Sequence, residues 1–438
     1  MSAGTGAKAA ERYLSALANQ VIPATAKGFV ACGPATASEL LAAHRGRTPE
    51  EAGLALPLAV LHVPALDHNI ARMQRWAAER GAELAPHVKT TMAPWIMARQ
   101  LAAGAWALTV ANCGQASVCA ALGAPRILIA NEVTDPADIA WLAARLREPD
   151  GPELLCYADS ETGVDLLAAG LGGPGAARPL GLLIEIGITG GRGGCRTAGQ
   201  AVAVAGRAAG VRWLTVRGAA GFEGVIADAR RPADLARIDD FADAVHAAGV
   251  ALAGAGLAGA AGEPVLLSAA GSVFFDRVAD RLRRPLPGGA DPLVVLRSGG
   301  YVSHDHGHLE HLSPLAGHDG AFRPAVQVRA RVLSVPQPDL AIAGAGKRDF
   351  GTDLGLPVVL GRIGPDGAEL SAAGLIAVAA NDQHLHLRRA VGDLDQLLAP
   401  GDVVRLGISH PCTTFDRWRH LIALDADGGI CDVVHTFF

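Results

Sequence analysis

Apolar and polar positions follow two different rhythms along this chain, and the change between them comes near residue 305. From about residue 84, short apolar runs rich in β-formers alternate with Ala-rich segments whose apolar residues recur at helical spacing. The runs are ELAPHV (83–88), WALTV (106–110), RILIA (126–130), ELLCYA (153–158), LGLLIEI (180–186), RWLTVRG (212–218), PVLLSA (264–269) and PLVVLRSG (292–299). Eight such strands in alternation with helices predict an α/β fold, a parallel (β/α)8 barrel, with a doubly wound open sheet as the alternative. Beyond residue 305, AVQVRARVLSV, LAIAGAG, VVLGRI, AELSAAGLIAV and DVVRLGI are strand-like and closely spaced. They predict a second, mostly antiparallel β domain. LPLAVLHV (56–63) precedes the barrel rhythm and is a strand available to that domain. The first thirty residues read as an amphipathic helix, so the expected divisions are a helical extension (1–55), a barrel (56–305) and a β domain (306–438).

Composition narrows the function classes. Half of the 438 residues are hydrophobic and 18% are charged, which suits a large core. The formal net charge is -5 and no basic block interrupts the chain, so neither nucleic acid nor an anionic membrane is an expected partner. The seven cysteines are odd in number and irregularly spaced, which fits a reducing cytoplasm better than a disulfide framework. No apolar run is long enough to span a bilayer. Gly and Ala are so abundant that GAGLAG (254–259) carries little weight as a dinucleotide-binding motif, and no clean strand–turn–helix supports it.

Candidate chemistry begins with APHVKT, where Lys89 leaves the first predicted barrel strand. Barrel active sites are built at the C-terminal ends of strands. A lysine emerging there from an apolar run is expected to be partly desolvated and a good nucleophile toward an aldehyde; a plain surface lysine is the competing reading. GISHPCTTF reads as a strand that places His410 and Cys412 two positions apart, on one face. An imidazole and a thiol so placed form half of a small metal site, and water and substrate must supply the remaining ligands. A buried cysteine beside a strand histidine is the alternative. HDHGHLEH (304–311) holds four histidines in eight residues and reads as a polar loop over the barrel mouth.

The stretch from 61 to 118, with its P-H-x-K-T pattern, resembles the N-terminal part of the alanine-racemase-like, fold-type III pyridoxal phosphate (PLP) enzymes. EIGITGGRGG, GFEG, LSAAGS, SGGYVSHD, AGKRDFGTDLGLP and the HPC stretch continue the match in order, and look closest to the D-threonine aldolase and D-serine dehydratase branch. The resemblance implies that Lys89 carries PLP, that His87 has a catalytic role beside it, and that Arg192 lies against the cofactor. It implies a phosphate site from Ser268, Gly271 and Ser272 on one turn and Ser298, Gly299, Gly300 and Tyr301 on the next, with Asp305 also on a family position. It further implies a divalent metal on His410 and Cys412: zinc, with manganese or magnesium as alternatives, because His-x-Cys marks the dehydratase type and His-x-Asp the aldolase type. A small D-3-hydroxy amino acid as substrate and a homodimer follow from the same resemblance. Two stretches depart from the pattern. Phe222-Glu223-Gly224-Val225 stands where the family has tyrosine, an acid, Gly and His, and Thr91-Met92 stands where it has His-Lys.

Overall fold

The eight apolar runs form eight parallel strands: Ala82–Leu84, Leu108–Val110, Arg126–Glu132, Glu153–Ala158, Leu180–Ile186, Leu214–Gly221, Leu266–Ala269 and Leu293–Leu296, the first to eighth barrel strands. The computed structural model describes residues 3–29, 33–172, 178–259, 262–364, 368–389, 394 and 397–438. From the second strand to the eighth, neighbours in sequence are neighbours in the sheet, and the eighth pairs with the first through Val294 on Ala82 and Leu296 on Leu84. The circle closes where Trp106 N–H donates to Leu84 O (2.7 Å) and Thr109 N–H donates to Pro86 O (2.9 Å). An open sheet has two free edges; this one has none, and the barrel is the fold.

The first strand is shorter than its apolar run. Pro86 has no N–H to give a ladder, and beyond Leu84 the pairing is reduced to single contacts, Ala85 N–H donating to Leu296 O (2.8 Å) and an isolated bridge between His87 and Thr109. That early end releases the backbone into a tight turn over Val88–Thr90, which carries Lys89. The strands read as continuous apolar runs because both faces are covered. All of Leu180–Ile186 is buried, with Leu183 in the barrel interior beside Leu155, Tyr157 and Leu128, and Leu182 and Ile184 in the core that includes the surrounding helices.

Leu58–His62 is not a barrel strand. It pairs antiparallel with Val326–Gln337 and parallel with His420–Leu424, so the chain starts its second sheet, builds the barrel, and then returns to finish the sheet. The remaining strands include Leu340–Ala343, Val358–Ile363, Leu375–Ala380, Leu385–Arg389 and Val403–Gly407, antiparallel wherever they pair. Helices Ala3–Ala18 and Ala37–His44 form the N-terminal extension; the second starts at a Thr36–Glu39 capping box. GAGLAG falls at the end of the long helix Pro232–Gly254 and the turn after it, away from any strand-to-helix loop. No helix among the described residues is long and apolar enough to cross a membrane.

Candidate active site

The lysine turn and the HPC turn belong to different domains yet meet at the C-terminal end of the barrel. Cys412 Sγ lies 3.4 Å from Thr90 Oγ1, next door to Lys89. On the other flank of the same turn, the N–H of Phe437 donates to Met92 O (3.0 Å). Lys89 itself is exposed, so the expected desolvation is not found: the turn lifts the side chain clear of the apolar strand. His87 faces a different environment. Burial, the nearby Lys89 ammonium and the Arg297 guanidinium hold its imidazole well below its ordinary value, and its Nδ1 is buried without a partner. A neutral imidazole stands beside the lysine.

His410 and Cys412 are not on a strand. The strand Val403–Gly407 stops short of them, His410 is the extended residue before the one-turn helix Pro411–Phe415, and Cys412 lies inside its first turn. Proline at the first helical position explains the change, since its fixed φ suits a helix start and its missing N–H is not needed there. The two side chains still meet, because a helix start turns the backbone back on itself. His410 Nδ1 is 2.6 Å from Asp353 Oδ2, which leaves its other ring nitrogen for the thiol. Burial lowers the His410 pKa, but hydrogen bonds and charge from Cys412 and Asp353 outweigh it and bring it to about 9. Burial raises that of Cys412, and is outweighed in turn by His410, Thr90 and Lys89, which draw the thiol below its ordinary value. Without a metal the pair is therefore an imidazolium beside a thiolate; a transition metal held by both would displace the ring proton, and a carboxylate behind the histidine is the usual support. Asp353 was missed in the sequence because it stands 57 positions before its partner. Among the described residues no cluster of three or more His, Cys, Asp or Glu side chains could hold a metal ion.

His410 and Cys412 line a cleft of about 240 Å³ that also touches Phe222, Gly271, Ser272, Gly300, Asp305 and His308. A Cβ on Gly299 would come within 2.4 Å of His87 O and 2.9 Å of Thr90 Oγ1, so glycine there lets the turn after the eighth strand close on the lysine turn. A Cβ on Gly300 would come within 3.0 Å of Leu309 Cδ1 and 3.4 Å of Ser272 Oγ. The backbone N–H groups of Ser272, Gly300 and Tyr301 have no acceptor among the described residues. Free amides on two adjacent strand-end turns fit a phosphate. Other predicted holders are committed elsewhere. Ser268 is fully buried, donating to Val295 O (2.9 Å) and accepting from Arg297 Nε (2.9 Å). The N–H of Gly271 goes to Glu223 Oε1 (2.5 Å) and that of Ala270 to Glu223 Oε2 (3.0 Å), so this buried carboxylate shapes the turn from behind. Ser298 Oγ ties the two turns by donating to Gly271 O (2.8 Å). The Tyr301 side chain is buried with its hydroxyl on Gln100 (3.1 Å), leaving only its backbone for a ligand.

Arg192 sits 5.5 Å from the Phe222 ring centre, and its Nε donates to the buried Glu185 (3.0 Å). Glu132 lies behind that pair; burial and the Glu185 charge push its carboxyl up to about 8, so it holds a proton at neutral pH. In the histidine-rich loop, His304 and His306 are pulled down to about 4, each by burial first, and His308 lines the cleft. Asp305 Oδ1 accepts from the N–H groups of Gly307 (2.8 Å) and Leu309 (2.9 Å), while its buried Oδ2 has no partner.

Two known families match this chain. Residues 61–266 match the "Alanine racemase, N-terminal domain" and residues 325–424 match the "Putative serine dehydratase domain". A D-threonine aldolase from Arthrobacter sp. is 27% identical over 382 residues, covering 86% of this chain and 90% of the aldolase. A D-threo-3-hydroxyaspartate dehydratase from Delftia sp. is 29% identical over 398 residues, covering 85% and 95%. The crystal structure of a D-threonine aldolase from Filomicrobium marinum superposes with a TM-score of 0.72 at 23% identity, covering 87% of this chain and 95% of that one.

Proposed function

Because the chain belongs to the alanine-racemase-like family of fold-type III pyridoxal-phosphate enzymes, in the branch of D-threonine aldolases and D-serine dehydratases, we propose that it is a metal-dependent lyase that dehydrates a D-3-hydroxy amino acid. The products are a 2-oxo acid and ammonia. The observation that carries this reading is the thiol of Cys412, held with His410 on the far side of Thr90 from Lys89.

Bound in the cleft, PLP supplies an aldehyde for the substrate amine and a sink for the Cα electrons, and a divalent cation supplies Lewis acidity at the β-hydroxyl. The residues suited to hold PLP are Lys89, the free amides of Ser272, Gly300 and Tyr301, and Arg192, whose orientation Glu185 fixes. Those suited to the cation are His410 and Cys412, with Asp353 fixing the imidazole. Lys89 Nζ is exposed at the mouth, free to exchange places with the substrate amine and then to take the Cα proton. His87, neutral and adjacent, adds no second positive charge beside that amine. Phe222 brings no hydroxyl to the ring, so this chain supports ring protonation less than a tyrosine would.

Retro-aldol cleavage to glycine and an aldehyde is the second reading, and the D-threonine aldolase relative favours it. The two are separated by incubating the holoenzyme with a panel of D-3-hydroxy amino acids and measuring 2-oxo acid, ammonia, glycine and aldehyde together. Equal 2-oxo acid and ammonia is the expected result. Equal glycine and aldehyde would replace dehydration by the aldolase reading, and no product of either kind would reject both.

A further inference from the structure

The part of the cleft beside His410 and Cys412 is lined by leucines. Leu309 and Leu312 stand three positions apart on the one-turn helix His308–Leu312, and so share its face. Leu354 follows directly on Asp353, the residue that holds His410, and is 41% exposed although it is a large apolar side chain. The ionisable side chains in the same lining are Asp305, Glu223, His308 and the His410–Cys412 pair; among the described residues that line the cleft there is no lysine or arginine. Two guanidinium groups stand behind this lining and both are paired: Arg192 with Glu185 at 3.0 Å, and Arg230, which donates to Val273 O, with Asp276 at 2.6 Å.

Taking the lyase reading above as its premise, we infer that the substrate carries an uncharged, apolar group on its hydroxyl-bearing carbon, in place of a second carboxylate. With the hydroxyl directed to His410 and Cys412, the other substituent of that carbon lies against Leu354, Leu312 and Leu309. An aryl or branched alkyl group there is removed from water against leucine, which is favourable. A carboxylate there loses hydration with no lysine or arginine in the lining to replace it, the metal pair being taken by the hydroxyl, and it meets Asp305, whose Oδ2 has no partner.

The test compares kcat/KM of the holoenzyme for D-threo-phenylserine and for D-threo-3-hydroxyaspartate. The aryl substrate is expected to be favoured by roughly tenfold or more. Leu354→Arg and, separately, Leu312→Arg should each move the ratio toward the diacid by roughly tenfold. A binding measurement runs beside it with D-phenylalanine and D-aspartate, which lack the hydroxyl and cannot be dehydrated or cleaved at it. The phenyl compound should bind more tightly, and the order should narrow or reverse in the arginine variants. A wild-type preference for the diacid, or a ratio unmoved in both variants, overturns the inference and leaves the lyase reading intact. Absence of turnover with every D-3-hydroxy amino acid rejects the lyase reading, and the two binding constants still decide the chemistry of the leucine wall.

Discussion

The two ends of the barrel differ in how they treat their acidic groups. At the end where the strands begin, Glu153 accepts from Arg126 Nε and from Arg217 Nη1, both at 2.6 Å, and Arg217 Nε reaches Glu263 at 3.1 Å. Burial would raise the Glu153 carboxyl, but the two guanidinium groups outweigh it and hold it below its ordinary value. Around the end where the strands finish, His87 Nδ1, Glu132 Oε1, Tyr157 Oη and Asp305 Oδ2 are buried without a protein partner. A buried polar atom left unpaired costs roughly 1–3 kcal/mol, so four of them in one region mark a place kept for ligands at the expense of stability. The contrast matches the division of labour in barrels, with support at one face and chemistry at the other.

The most severe test of that contrast is Lys89→Ala. Activity should fall by roughly a thousandfold or more, while the melting temperature hardly moves because the side chain is exposed. Borohydride reduction followed by peptide mass mapping should find PLP on Lys89 in the wild type and on no lysine in the variant. PLP fixed to a different lysine would mean that the chemistry of this mouth has been misplaced.

Cys412→Ala should lower metal content and activity on the order of a hundredfold, with bound PLP unchanged, as read by metal analysis and the cofactor's absorbance. Asp353→Asn should weaken metal binding by roughly ten- to a hundredfold through His410 alone. Cys412→Asp should tolerate manganese better and turn part of the product toward glycine and aldehyde. Full turnover and full metal content in Cys412→Ala would reduce the pair to a structural contact.

Acid should loosen the mouth before the base. His304 and His306 are pulled to about 4 in the fold, while the unfolded chain protonates near 6.5. Between those values the unfolded state binds more protons, so their contribution is complete above pH 6.5 and is lost as pH falls toward 4. Asp305, pushed up to about 6 chiefly by burial, and Glu132, pushed up to about 8, act in the opposite sense, while the buried His87, also pulled down, acts with the two histidines. Glu153 at the base, with its depressed value, gives up its contribution only below the ordinary glutamate range. Relative to wild type, His306→Gln should therefore keep more of its melting temperature as pH falls from 6.5 toward 4. The smallest effect belongs to the base itself. Arg217→Ala should cost about 1 kcal/mol of stability in denaturant titration and leave kcat and KM where they were.

Much of this arrangement was legible before any coordinates. All eight barrel strands lie within or across the predicted runs, because strands buried on both faces must be apolar throughout. Lys89 was placed at a strand end by the same pattern, whereas the close approach of Gly299 to the lysine turn is visible only in the structure. The reading of His410 and Cys412 as strand neighbours failed, because a two-residue period and the start of a helix are indistinguishable over so short a stretch and the proline decided between them. Ser268 was grouped with the phosphate turn by its position in LSAAGS, but it is still on the strand, where its hydroxyl points to Arg297.

The sequence by itself determined what local physics can determine: which segments are strands, and which side chains have the chemistry to hold a lysine-linked cofactor or a soft metal. Tertiary structure alone decided what those side chains see. Asp353 reaches His410, Thr90 reaches Cys412, Glu223 takes the amide of Gly271, and Leu58–His62 leaves the barrel for the second sheet. Each of these joins residues about fifty to several hundred positions apart, or turns a segment away from its neighbours. Their partners are set by the closing of the barrel and the return of the chain across its mouth, which no periodicity in the sequence records.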